Sequence, residues 1–183
     1  MVSELDIPGL DVSSRVRARD IQMAAVADVR RRVLMISGAV DALDHDVAMS
    51  LYLPEPGRWQ VIKSETNLTD QTWVAMQVTC DDDTHFIDGE DGMIMSRQFA
   101  RTFLTPDQRR LTFHDGEVRP GESMLKVFDL ECTTRRPTYA HARYSASPTD
   151  SPEQTAEAVR RLVADGIAQR PVIEMIVPVT VIG

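Results

Sequence analysis

Short apolar segments separated by turn residues follow one another over residues 33–145, and this succession constrains the fold more than any other feature. Over residues 74–80 apolar side chains alternate with smaller or polar ones, as expected for a strand with one face on a core. The Pro-Glu-Pro-Gly sequence at residues 54–57 predicts a hairpin, and Asp115-Gly116 predicts a second one. We therefore expect a mostly antiparallel β-sheet.

Helices are predicted near both ends of the chain. Residues from 13 or 14 to about 32 have apolar side chains at helical spacing, and a serine or Asp11 can cap the segment. These side chains are Val16, Ile21, Ala25, Val29 and Val33. Ser151 and Gln154 form a capping box around Pro152, which predicts a C-terminal helix. The four-residue spacing of Phe99 and Phe103 favours a short helix over residues 96–104.

The predicted fold is therefore α+β. A single domain over residues 13–183 would contain a mostly antiparallel sheet flanked by an N-terminal and a C-terminal helix. Residues 172–183 would form an edge strand or a strand broken in two, because Pro178 cannot donate a hydrogen bond to a neighbouring strand. Residues 1–12, interrupted by Pro8 and Gly9, are expected to form an extended tail.

The net charge of −8 disfavours general binding to nucleic acid, whose phosphates must be neutralised by basic side chains. No apolar run approaches the roughly 18 residues of a membrane span, and the N-terminus does not resemble a secretory signal. We therefore expect a cytoplasmic protein, or a virion component if the source is a phage, without nucleic-acid or membrane partners.

Only Lys63 and Lys126 are lysines among the 20 basic residues, a bias typical of high-GC coding sequences or of arginine-rich interfaces.

The two cysteines, Cys80 and Cys132, follow strand-like segments. They could form one disulfide, but two buried thiols in a reducing compartment are the expected arrangement.

The acidic segment, residues 81–92, is the densest concentration of chemistry in the sequence. Asp83, Asp88 and Asp91 could bind a hard cation, and His85 with Asp83 and Asp88 could bind a transition metal. The spacing does not fit a calcium-binding EF-hand loop. The favoured interpretation is a solvated turn whose charges protect a sheet edge from aggregation. Whether residues 81–91 bind a cation stays open.

The histidines His45, His85, His114 and His141 are the candidate general bases. The most enzyme-like group is a pocket formed by Tyr139, His141 and Arg143, which alternate along one strand. Three polar side chains on the solvent face of a strand explain the same pattern more simply. We therefore assign no catalytic residue and no cofactor.

Three functions remain. The preferred hypothesis is a non-enzymatic assembly or interaction protein, a bacterial or phage structural component, that forms a homo-oligomer or binds a protein partner through its termini. Its last strand would pair with a neighbour. The alternative is a small-molecule sensor or carrier with a pocket between sheet and helix, lined by Trp59, Trp73 and Phe128. The third is an enzyme using His141 or His85 with a carboxylate.

Overall fold

The computed structural model describes residues 21–42, 45–168 and 170–183. Within these residues the chain forms thirteen strands, one α-helix and one 3₁₀-helix (Gly89–Asp91). The elements in chain order are β1 (Ile21–Asp28), β2 (Val33–Val40), β3 (Asp46–Leu51), β4 (Gly57–Asn67), β5 (Trp73–Cys80), β6 (Thr84–Ile87), β7 (Ile94–Ser96), β8 (Phe99–Leu104), β9 (Arg110–Gly116), β10 (Ser123–Cys132), β11 (Thr138–Ser145), α1 (Pro152–Asp165), β12 (Val172–Val177) and β13 (Val179–Ile182).

The strands form two mixed sheets. Sheet A has the order β13-β1-β2-β4-β10-β6, with β7 also pairing with β10, and sheet B has the order β12-β3-β11-β5-β9-β8. Most neighbouring strands are antiparallel, but β1 with β13, β2 with β4 and β3 with β12 are parallel.

The two sheets pack face to face as a sandwich. Alternate residues of the longer strands point into it, and one cluster of buried apolar side chains extends from Ile21 in sheet A to Val177 in sheet B. In β5, Met76, Val78 and Cys80 face the core as predicted, but Val74 lies on the other side, where α1 also buries Ala75 and Gln77. The largest buried side chains include two tryptophans and, unusually for a core, two lysines.

Helix α1 covers part of the outer face of sheet B. Ser151 and Gln154 form the predicted capping box, and Val159 and Leu162 pack on Ala75 of β5. Gln77 fixes the far end of the helix, since its Nε2 donates to the Leu162 carbonyl at 3.0 Å and its Oε1 accepts from the Ile167 N–H at 2.8 Å.

Pro178 divides the last segment between the two sheets. β12 forms the edge of sheet B beside β3, and β13 forms the edge of sheet A beside β1. The prediction of an edge strand broken in two is confirmed.

The prediction of an N-terminal helix is wrong for the part of the segment that the structure describes. β1 begins at Ile21, and Ile21, Met23, Ala25 and Ala27 are buried on one face of a strand that pairs with β2. Apolar residues in this segment satisfy a two-residue and a four-residue period at once, so the helical stripe was ambiguous. Residues 13–20 of the predicted helix lie outside the described residues.

Three further local predictions are wrong. Residues 96–104 belong to β7 and β8, because side chains four apart share a face in a strand as well as in a helix. Residues 54–57 do not close a hairpin, since β3 belongs to sheet B and β4 to sheet A. Asp115 and Gly116 lie within β9, and the hairpin there joins β8 to β9 through residues 105–109.

The predicted α+β class is therefore wrong. The described chain is a mostly β sandwich of two mixed sheets with a single α-helix, instead of one sheet flanked by N- and C-terminal helices. The expected tail over residues 1–12 lies outside the described residues. Among the described residues, no helix has the length and apolar character needed to cross a bilayer.

Candidate functional site

A cluster of ionisable side chains lies inside the sandwich. β4 contributes Lys63 and Glu65, β10 contributes Lys126, and β11 contributes His141 and Arg143. All are at inward-facing positions of their strands, and none is more than 3% exposed. We call these five residues the buried ionic cluster.

Glu65 is the only carboxylate of the cluster. Its Oε2 accepts a hydrogen bond from Lys126 Nζ at 3.0 Å and lies 3.8 Å from Lys63 Nζ, while Oε1 accepts from Arg143 Nη2. Because a buried charge is costly without a partner, Glu65 is the group that allows the cations to be buried.

His141 connects the two lysines across the gap between the sheets. Its Nδ1 lies 2.8 Å from Lys63 Nζ, and its Nε2 lies 3.1 Å from Lys126 Nζ. Lys63 and Lys126 are also directly opposite each other on β4 and β10. Two like charges in that position repel, so the geometry favours one ammonium and one neutral amine.

The pKa values of the cluster shift in directions that agree with this. Burial, followed by the nearby lysines, holds the pKa of His141 well below its usual range. Burial also lowers the pKa of Lys63 far below that of a free lysine, and lowers the pKa of Lys126 to about 8. Although burial opposes ionisation of Glu65, the attraction of Lys126, Lys63 and Arg143 keeps the pKa of this carboxyl well below its usual value. Near neutral pH, Glu65 is therefore ionised and His141 is neutral, while Lys63 and Lys126 both lose their protons more readily than a free lysine.

Two aromatic side chains complete the cluster. The Arg143 guanidinium lies over the Trp73 ring at 5.1 Å, and the Tyr139 ring meets the His141 ring edge to face at 5.1 Å. Within the described residues, Trp73 Nε1, Tyr139 Oη and the Nε and Nη1 atoms of Arg143 are buried without a hydrogen-bond partner. All of these atoms can donate a hydrogen, so donors exceed acceptors here.

The structure thus brings together Tyr139, His141 and Arg143, as the sequence suggested, but in the core of the sandwich. The interpretation that they lie on the solvent face of a strand is wrong. Lys63, Glu65 and Lys126 were missed by the sequence reasoning. The available signal was that the only two lysines of the chain are in phase with apolar inward positions, Lys63 with Trp59 and Val61 in β4, and Lys126 with Met124 and Phe128 in β10.

Trp59, Trp73 and Phe128 do not line a pocket between sheet and helix as expected, because all three are buried in the sandwich core. A cleft of about 830 Å³ does lie between α1 and the outer face of sheet B. Val74, Val159 and Val163 line its apolar side.

His114 lies on the polar wall of this cleft. Its Nδ1 is 3.2 Å from Asp115 Oδ1, and Asp115 Oδ2 pairs with Arg101 Nε at 3.1 Å. Asp115 has a positive φ of 59°. Such strain in a residue other than glycine often occurs at binding sites.

The carboxylates of the acidic segment do not converge. Asp81 accepts from the backbone N–H groups of Asp83 and Thr138, and Asp88 caps the 3₁₀-helix. Asp82 pairs with Arg109 at 2.5 Å. Among the described residues, no group of three histidine, cysteine or acidic side chains is placed to hold a metal ion. His85 lies on β6 opposite Glu131 and His45 lies just before β3, so neither joins the buried ionic cluster.

Cys80 and Cys132 are buried free thiols, as expected. Burial raises the pKa of both, that of Cys132 to about 12. Both are therefore thiols and poor nucleophiles near neutral pH.

The outer face of sheet A carries an uncharged surface. The strand register aligns one row of side chains across it: Thr180, Val26, Met35, Ile62, Val127 and Met95. A second row is Ala24, Ser37, Ser64 and Leu125, and a third is Gln22, Ala39, Thr66 and Ser123. We call these three rows the uncharged face; Met35 is 41% and Met95 49% exposed. Within the described part of the chain no helix covers it, whereas α1 covers sheet B.

No curated protein and no solved structure matches this chain. A family described as a family of unknown function, DUF6423, matches residues 23–183, which include every described strand except the first two residues of β1. The chain therefore belongs to the DUF6423 family.

Proposed function

We propose that this protein is a non-enzymatic assembly protein whose copies associate through the uncharged face of sheet A. The observation that carries the proposal is the register-aligned apolar row from Val26 to Met95. The absence of charge from these rows contrasts with the chain as a whole, in which 26% of residues are charged. Uncovered apolar patches are typical of interaction sites.

A second copy of the same chain is the occupant that the charges favour. Two chains of net charge −8 repel each other wherever charged surfaces meet. The uncharged face is where two copies can approach without placing like charges in contact, and a twofold arrangement would bring the same row of each copy together. The C-terminal strand β13 takes part, since Thr180 ends the row.

The size of the face predicts a reversible interaction. Five strands about 4.8 Å apart, with rows spanning about five residues at about 3.3 Å each, give roughly 400 Å² of flat area per copy. Two copies would thus bury roughly 800 Å², which is the range of weak, transient interfaces. We expect a concentration-dependent equilibrium of monomer and dimer.

Light scattering after gel filtration at two protein concentrations tests the proposal. The wild type should gain mass with concentration, and Met35→Glu should remain a monomer. Met93→Glu is the matched control, because Met93 is 48% exposed and lies outside the three rows. A wild-type monomer at both concentrations, or association that survives Met35→Glu, would contradict the proposal.

A further variant separates face packing from strand addition at the open edge of β13. The carbonyls of Pro178 and Ile182 accept from β1, so the Val181 backbone groups face away from β1. Val181→Pro should therefore block strand addition but leave face packing intact. Loss of association in this variant alone would favour strand addition. Deletion of residues 172–183 is unsuitable, because it removes the buried side chains of Ile173, Met175 and Val177.

Small-molecule binding is a second candidate function, favoured by the cleft beside α1. Its volume of about 830 Å³ is typical of ligand sites, and it combines an apolar side with His114. A ligand present at a hundred times its Kd would raise the free energy of unfolding by about 2.7 kcal/mol. A thermal-shift survey of metabolites, repeated on a Val74→Arg variant that fills the cleft, tests this function. The absence of any shift in the wild type would contradict it.

A further inference from the structure

We propose that the sandwich interior binds one small monovalent anion, such as chloride, beside Arg143 and Trp73. Arg143 is 3% exposed, and its Nη2 pairs with Glu65. Its Nε and Nη1 atoms, and Nε1 of the adjacent Trp73, are buried without a partner among the described residues. A buried guanidinium normally has all of its donors satisfied.

The chemistry of the surroundings selects an anion over another ligand. All the unpartnered atoms next to Trp73 are N–H donors, so an acceptor is needed. Among the described residues of the buried ionic cluster, the one carboxylate, Glu65, faces the Arg143 guanidinium and two lysines, so positive charge is in excess whenever a lysine is protonated. A single monovalent anion neutralises this excess, whereas water would supply an acceptor but no charge.

Burial also limits the size of the ligand. The donor atoms are buried between two sheets, so an anion must lose most of its water to reach them, which disfavours large or strongly hydrated anions. Chloride and bromide are therefore suitable, and gluconate is a matched anion that should be excluded.

The charge of Lys126 should couple this site to pH. Lys126 contacts Glu65, His141 and Met76 and lies opposite Lys63, and it loses its proton more readily than a free lysine. An anion favours the protonated form, so binding should weaken as the pH rises past about 8.

Urea unfolding at constant ionic strength, with chloride replaced stepwise by gluconate, measures binding at a single site. Once chloride exceeds its Kd, each tenfold increase should lower the unfolding constant tenfold. Trp73→Phe keeps the ring and removes one donor, so it should require higher chloride for the same effect. Trp59→Phe is the control, because Trp59 Nε1 already donates to the Glu55 carbonyl at 3.1 Å and position 59 is six residues from Glu65 on β4, about 20 Å along the strand; it should leave the chloride dependence unchanged.

Crystals grown in bromide give an independent test. An anomalous peak between the sheets, within hydrogen-bond distance of Arg143 and Trp73, is the expected result. Equal unfolding constants in chloride and gluconate would overturn the proposal. So would density for water alone at that position, or bromide found only on the surface.

Discussion

Replacing Glu65 by glutamine should strongly destabilise the protein, because it removes the one carboxylate of the buried ionic cluster. The glutamine has nearly the same shape, so it creates no cavity. Lys126 at 3.0 Å and Arg143 would lose their ionic partner while remaining fully buried. The two cations differ in how they can respond.

The expected magnitude follows from that difference. With a pKa of about 8, Lys126 can become neutral at pH 7 at a cost of about 1.4 kcal/mol. Arg143 keeps its charge at any accessible pH, so its loss should approach the about 3–5 kcal/mol of a broken buried ion pair. A total of about 4–6 kcal/mol is a large fraction of the about 5–15 kcal/mol by which most proteins are stable.

Urea unfolding of a set of variants measures this loss and assigns it. With a denaturant slope of about 3 kcal/mol/M, Glu65→Gln should lower the midpoint by about 1.5–2 M. Glu174→Gln, which changes an exposed carboxylate on β12, should leave the midpoint nearly unchanged. Double-mutant cycles that combine Glu65→Gln with Arg143→Met or with Lys126→Met should give a larger coupling energy between Glu65 and Arg143 than between Glu65 and Lys126. If Glu65→Gln costs less than about 1 kcal/mol, or if Lys126 has the larger coupling, the reasoning fails.

Three further predictions concern separate parts of the sandwich. Because burial lowers the pKa of His141, only the unfolded state takes up its proton below about pH 6.5, so stability should fall as the pH drops from 7 to 5. His141→Asn should flatten that part of a pH series of urea midpoints, and an unchanged slope would contradict the assignment. Cys80 and Cys132, both buried with raised pKa values, should react with dithiodipyridine only after denaturation, so rapid release of thiopyridone from native protein would be inconsistent with the fold. Ser151→Ala removes the N-cap of α1 and should cost about 1 kcal/mol in thermal unfolding, and no loss would mean that the cap does not stabilise the helix.

Local rules predicted the parts of the fold that depend on neighbouring residues. The capping box of α1 and the strand break at Pro178 follow from short-range chemistry, and the structure has both. The inward positions of Met76, Val78 and Cys80 in β5 could also be predicted from the sequence, but the outward position of Val74 and the burial of that face by α1 could not. The pairing of strands that are far apart in sequence could not be predicted from local patterns. Whether residues 54–57 close a hairpin or carry the chain from sheet B to sheet A depends on strand partners far away in sequence.

The candidate site was half predicted for a similar reason. The alternation of Tyr139, His141 and Arg143 along one strand is local, so the sequence grouped them correctly. Their burial depends on which side chains face them in the folded sandwich, and charged residues are usually exposed. Glu65 and the two lysines belong to other strands, so only the folded sandwich brings them to β11. The uncharged face could not be predicted from the sequence for the same reason, since its rows combine residues from as many as six strands.

The distribution of lysine and arginine in this chain has a physical basis inside the sandwich. Both of its lysines lie in the buried ionic cluster, although 20 residues of the chain are basic. An amine can lose its proton when it is buried, and Lys63 and Lys126 do so more readily than free lysine. A guanidinium cannot, so Arg143 needs the carboxylate of Glu65 and the ring of Trp73. With arginine at position 63, the cluster would carry one more permanent positive charge, with Glu65 still its one carboxylate. High-GC coding or an arginine-rich interface can account for an excess of arginine, but neither places both lysines at buried, directly opposed positions.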